Sequence, residues 1–136
     1  MFEVLEHTAD IGFRARGRTL EGVFESAAEA LVALALEVDD IAARECYTLA
    51  AEGEDLESLL VNWLSEVLYW LDGRRVGLRR FEVKEITSGR VAAEGFGEPL
   101  GPAHHRAKLV VKGVTYHQLR IVQDERGWVA EVYLDI

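Results

Sequence analysis

The chain has 136 residues, 49% of them hydrophobic and 9% aromatic, enough apolar material to order one unit around one principal core, which excludes global disorder. Fifteen basic against 24 acidic side chains leave a net charge of −9 with a pI near 4.9, a balance that argues against broad electrostatic affinity for nucleic acid or anionic lipid. The single cysteine, Cys46, makes no internal disulfide and no cysteine-based zinc cage, so a reducing compartment is expected.

The start, Met1-Phe2-Glu3-Val4-Leu5-Glu6, lacks the basic and apolar regions of a secretory signal. The longest strongly apolar run, Ala30 to Leu36, is far short of the roughly 20 residues that span a bilayer. A cytoplasmic protein with no membrane association is the expectation. Residues 2 to 6 and 11 to 18 read as strands on either side of the polar turn His7-Thr8-Ala9-Asp10. In the second, Phe13, Ala15 and Gly17 share one face, and Arg14, Arg16 and Arg18 share the other. Thr19 is placed to cap a helix over 19 to 37, in which Leu20, Val23, Phe24, Ala27, Leu31 and Leu34 recur at helical spacing.

Cys46 to Ala50 reads as a short strand. The acidic stretch Glu52 to Asp55 then suits the positive end of a second helix, 54 to 72, with Leu60, Trp63, Leu64 and Val67 on its apolar face and Gly73 as its stop. Strands are expected over 78 to 86, 90 to 97, 106 to 113, 118 to 124 and 128 to 135, with turns at Ser88-Gly89 and Asp124 to Gly127. Gly97-Glu98-Pro99-Leu100-Gly101-Pro102 is the strongest loop signal. With no linker or repeat in sight, the expectation is a single domain over 1–136 of the α+β class, a mostly antiparallel sheet packed with two amphipathic helices.

No phosphate-binding glycine loop, G-x-S-x-G, H-E-x-x-H or cysteine pair occurs. Four features remain. Asp10 either serves its own turn or acts with other acids. The end of the chain, Leu134-Asp135-Ile136, sets the Asp135 side chain beside the Ile136 α-carboxylate, and such groups repel unless a cation lies between them. If Asp10 joins them, three oxygen donors converge, the ligand type of calcium, magnesium or manganese. His104 and His105, adjacent on an extended chain, are poor joint ligands and read as solvated loop residues, while His117 is the better surface candidate. The arginines, Arg14, Arg16 and Arg18 with Arg74, Arg75, Arg79 and Arg80, are either a solvated face and helix-end cations or a local basic patch for an acidic partner or an RNA backbone.

Three stretches, Glu6-His7-Thr8-Ala9-Asp10-Ile11-Gly12, then Gly97-Glu98-Pro99-Leu100 with Val111-Lys112 and Val114-Thr115-Tyr116-His117, and finally Leu134-Asp135-Ile136, make the sequence resemble the archease family over essentially its whole length. The resemblance implies an accessory protein, not itself an enzyme, that activates the RtcB-type RNA ligase of tRNA splicing and RNA repair. It would promote guanylylation and multiple turnover of the ligase, broaden its nucleotide use, and meet RNA only through it. The resemblance also implies a divalent-metal site, described with calcium, on Asp10, Asp135 and Ile136. His7, Lys112, Thr115, His117, Arg14, Arg16 and Arg18 are the candidate partner-facing residues. Val110 and Gly101 stand where the family pattern has acidic residues, which weakens an identical use of the 98 to 117 surface. The competing reading is a metal-dependent phosphoesterase acting on RNA ends through Asp10, Asp135 and His117. A general RNA-binding module is disfavoured by the net charge.

Overall fold

The computed structural model describes residues 1–6 and 10–136. Its elements run β1 (Phe2–Glu6), β2 (Asp10–Gly17), α1 (Leu20–Ala35), a 3-10 turn (Val38–Asp40), β3 (Glu45–Glu52), α2 (Leu56–Asp72), β4 (Val76–Ile86), β5 (Arg90–Pro99), β6 (Gly113–Asp124) and β7 (Gly127–Asp135). The α+β class holds, with every strand pair antiparallel. The strands form two sheets rather than the one expected: four strands in the order β1-β2-β7-β6 and three in the order β3-β5-β4.

Both helices touch strands of both sheets, α1 reaching β2 and β7 on one side and β4 on the other, α2 reaching β6 and β3. A helix covered on two sides needs more than a narrow apolar stripe. Accordingly α1 buries Val23, Phe24, Ala27, Ala28, Ala30, Leu31, Val32 and Ala35, the alanines permitting close approach. Trp63 on α2 is fully buried, donates its indole N–H to the Phe24 carbonyl at 3.0 Å and meets the Phe81 ring edge-on, centroids 6.0 Å apart. One side chain thereby ties both helices to the smaller sheet.

The local signals are honoured at most ends. Thr19 caps α1 by accepting from the Gly22 N–H at 3.0 Å, Asp55 and Ser58 form a reciprocal capping box on α2, and Gly73 is the C-cap. Gly127, at φ +126°, closes the β6–β7 hairpin, where a Cβ would strike the Gly17 carbonyl oxygen.

The strand expected over 106 to 113 is absent. Apart from an isolated bridge between Leu36 and Ala107, residues 100 to 112 form a long connection. Their donors go elsewhere: the Lys108 N–H to the Ala35 carbonyl at 2.8 Å and the Lys112 N–H to the Asp135 carbonyl at 2.7 Å. Through Lys108 the segment satisfies the open carbonyl end of α1, and through Lys112 it ties to the end of β7. Likewise residues 114 to 117, left between the strands expected over 106 to 113 and 118 to 124, lie within the single strand β6, whose register against β7 shifts between Thr115 and Arg120. Gln118 takes φ +53° there, the extra residues being absorbed as a bulge.

Candidate functional site

In β2 the even-numbered residues from Asp10 to Arg16 face away from the helices, and the β7 partners in register continue the same outer face: Asp10 opposite Asp135, Gly12 opposite Tyr133, Arg14 opposite Glu131, Arg16 opposite Val129. Antiparallel partners on one face stand about 4.5–5.5 Å apart, so the two aspartates at the chain's opposite ends are brought side by side. Gly113 is the β6 partner of Asp135, and a Cβ there would meet nothing within 4 Å, so the third strand leaves open space beside the acids. Ile136 follows directly and is exposed. Among the described residues no three His, Cys, Asp or Glu side chains gather as a metal cage. The two carboxylates with main-chain oxygen from Ile136 are an all-oxygen donor set, which suits a hard divalent cation.

The partner-facing candidates divide between the two ends of this face. Lys112 reaches the acidic end through its main chain. Thr115, the β6 partner of Tyr133, donates its hydroxyl to the Tyr133 carbonyl at 3.3 Å and accepts the His117 N–H at 3.2 Å. The His117 and Tyr133 rings meet edge-on with centroids 6.2 Å apart. His7 lies outside the described residues.

The arginine stripe runs the other way. Arg14, the nearest of the stripe, stands four residues from Asp10 on β2, about 13 Å, and it is engaged elsewhere, so the acids and the stripe do not form one centre. Nor is the stripe a bare basic patch. Glu3, Arg14, Glu131 and Arg120 are successive partners across β1, β2, β7 and β6. Arg14 bonds both Glu3 and Glu131, the latter through Nε at 2.8 Å, and Arg120 approaches Glu131 at 3.5 Å. The Arg14 guanidinium in turn holds the Glu131 carboxyl below its usual range. Arg16 sits 3.5 Å from Asp124. The row is an alternating ion lattice of zero net charge, and only Arg18 extends past it.

The sequence reading missed a second polar centre at the end of β5. Glu98 is buried and accepts the Ala42 N–H at 3.0 Å, Arg44 Nη2 at 2.7 Å and His105 Nε2 at 2.9 Å. The Ala42 amide foremost, then His105 and Arg44, hold its carboxyl down to about 2. The Gly101 N–H donates to His105 Nδ1 at 2.8 Å, and the Gly101 carbonyl lies 3.2 Å from the same nitrogen, so both ring nitrogens are engaged. His105 is thus no solvated loop histidine: its side chain is only 7% exposed, whereas His104 and His117 are exposed. The cluster opens on a cleft of about 470 Å³ lined also by Asp40 and His104, and it latches the 100 to 112 connection onto the smaller sheet. The loop motif that contains Glu98 was visible in sequence; its three donors, 7 to 56 residues away in the chain, were not.

The family model of the Archease protein family (MTH1598/TM1083) matches residues 2–136. The archease of Pyrococcus abyssi is 41% identical, covering 99% of this chain and 98% of that one. The archease of Methanosarcina mazei is 39% identical over 99% and 95%. Among solved structures, the solution structure of protein 1598 from Methanobacterium thermoautotrophicum superposes with a TM-score of 0.83 at 34% identity, covering 99% of this chain and 98% of that one. A crystal structure from Thermotoga maritima, of an archease described as a possible chaperone, agrees in fold with a TM-score of 0.58 at 21% identity over 97% and 94%.

Proposed function

The chain belongs to the archease family, and on that premise we propose that it is an accessory protein that activates an RtcB-type RNA ligase, promoting its guanylylation and multiple turnover and broadening its nucleotide use. RNA, tRNA in particular, is met through the ligase, in the cytoplasm and without a membrane; no described helix is long and apolar enough to cross one. The observation that supports this most is the register that sets Asp10 opposite Asp135, because it gives a family member a paired-carboxylate end on an otherwise ion-paired face.

In this reading Asp10, Asp135 and Ile136 hold a divalent cation, calcium by the chemistry of its oxygen donors. Such a cation neutralises converging carboxylates and, at a partner's active site, phosphate charge. Thr115, His117 and the Lys112 main chain flank that end and form the rim presented to the ligase. The net charge of −9 fits a protein that acts on another protein rather than along a nucleic-acid backbone.

The test uses RNA with 2′,3′-cyclic phosphate and 5′-hydroxyl ends, incubated with this protein alone, with ligase alone and with both. The proposal predicts no turnover by the protein alone and faster ligation with both than with ligase alone. Release of phosphate or opening of the cyclic phosphate by the protein alone would instead make it a phosphoesterase.

A further inference from the structure

At the end of β2 remote from Asp10, three backbone segments meet through glycines. A Cβ on Gly127 would fall 2.4 Å from the Gly17 carbonyl oxygen and 2.8 Å from the Arg18 Cα, and a Cβ on Gly17 would fall 2.2 Å from the Val23 nitrogen. The tip of the β6–β7 hairpin therefore rests on the end of β2, and the end of β2 rests on the start of α1. Gly17 is in turn the register partner of Trp128. Close backbone contact thus fixes where Arg18, Arg126 and Trp128 leave the chain.

Together they border a cleft of about 250 Å³ lined by Met1, Arg16, Gly17, Arg18, Arg126 and Trp128. Three of these six are arginines and none is acidic, on a chain of net charge −9. Arg14 is held between two glutamates, but the arginines of the cleft are not. Arg16 meets Asp124 only at 3.5 Å, and among the described residues the Arg18 and Arg126 side chains have no hydrogen-bond or ion-pair partner. The other Asp124 oxygen accepts the Arg126 main-chain N–H at 2.9 Å, and with Glu125 that residue lines a neighbouring opening, not this one.

Like charges gathered in one cleft favour an anion between them. The planar fork of a guanidinium matches phosphate oxygens two at a time, and three such forks suit a doubly charged terminal phosphate better than a carboxylate with two oxygens. Half-buried Trp128 supplies an aromatic wall, on which any nucleobase can stack. The volume falls near the lower end of small-ligand pockets, about 300 Å³, which fits one nucleotide unit rather than a length of RNA or an acidic protein surface.

We propose that the cleft of Arg16, Arg18 and Arg126 binds the terminal phosphate of a single nucleotide, with its base against Trp128. Asp10 and Arg16 are six residues apart on β2, about 20 Å, so this site is distinct from the acidic end and does not rest on the cation reading. The nucleotide is either free or the 5′-phosphorylated end of an RNA, which present the same chemistry.

Calorimetric titration at low salt tests this with adenosine 5′-monophosphate, inorganic phosphate, and an RNA trimer carrying a 5′-phosphate or a 5′-hydroxyl. The proteins are the parent, Arg18→Gln, Arg126→Gln, Trp128→Leu and, as a control on the other sheet, Arg90→Gln, each verified as folded by urea unfolding. The parent should bind the monophosphate, and Arg18→Gln and Arg126→Gln should each lose about tenfold, the scale of a charge-assisted hydrogen bond. Arg90→Gln should bind as the parent does. Trp128→Leu should also weaken the monophosphate, and inorganic phosphate, which has no base to stack, should bind the parent about tenfold more weakly. A phosphorylated trimer that binds as the monophosphate does assigns the site to RNA ends, and one that does not assigns it to free nucleotides; both support a terminal-phosphate site. No binding of the monophosphate by the parent, parent-like affinity in Arg18→Gln and Arg126→Gln, an equal loss in Arg90→Gln, or a 5′-hydroxyl trimer that binds as tightly as the phosphorylated one would each overturn the proposal.

Discussion

The Glu98 carboxylate shows how a single buried acid is stabilised by three donors from separate segments, the Ala42 amide, Arg44 and His105. Its pKa lies near 2 against an ordinary 4.5, so the folded state binds its proton less readily than the unfolded chain does. The stabilisation is complete above about pH 4.5 and is lost as the pH falls toward about 2. Glu98→Gln should therefore lower the urea midpoint at neutral pH, and the gap between parent and variant should narrow steadily on acidification through that window. A gap that stays constant to low pH would mean the charge contributes nothing. None of this was legible in the sequence, where Glu98 sat inside a loop signal of glycines and prolines, because its donors are remote in the chain. Asp10 and Asp135 were legible as candidates, since their charge and their places near the two ends stood out. Arg126 and Trp128 were not, because a turn arginine and a strand tryptophan look like any others until the hairpin tip is seen resting on Gly17 and Arg18.

The two helices and most strands were readable from periodicity and caps, and the misreadings fall where tertiary contacts redirect the backbone. The alternation around Leu109 and Val111 reads as a strand, but the main-chain donors nearby serve the carbonyls of Ala35 and Asp135. The division into two sheets was equally hidden, because alternation within a strand does not say which strands pair. Both helices read as amphipathic, which implies one covered face, whereas each is covered from both sides. Trp63 carries that arrangement, packed against Phe24 and Phe81 and bonded to the Phe24 carbonyl. Trp63→Ala should cost about 3–5 kcal/mol, the range for deleting a large buried aromatic, read from chemical unfolding. A loss below about 1 kcal/mol would place the helix face elsewhere.

Across the whole molecule, one sheet face carries opposite characters at its two ends. The second and last strands are neighbours, so their aspartates meet at one end, while the arginines of the second strand run toward the other within an ion lattice. In the proposed function, that separation would let an acidic protein offer a compact acidic end to a cation and a partner without a general affinity for polyanions. The most direct measurement is a guanylylation time course of the RtcB-type ligase, with calcium and with this protein at substoichiometric amounts, comparing the parent with Asp135→Asn. The account predicts that the parent accelerates guanylylation of many ligase molecules per molecule added, and that Asp135→Asn, folded to the same extent, accelerates it far less. Equal acceleration by both would separate the acidic end from the activity, and no acceleration by the parent would contradict the account outright.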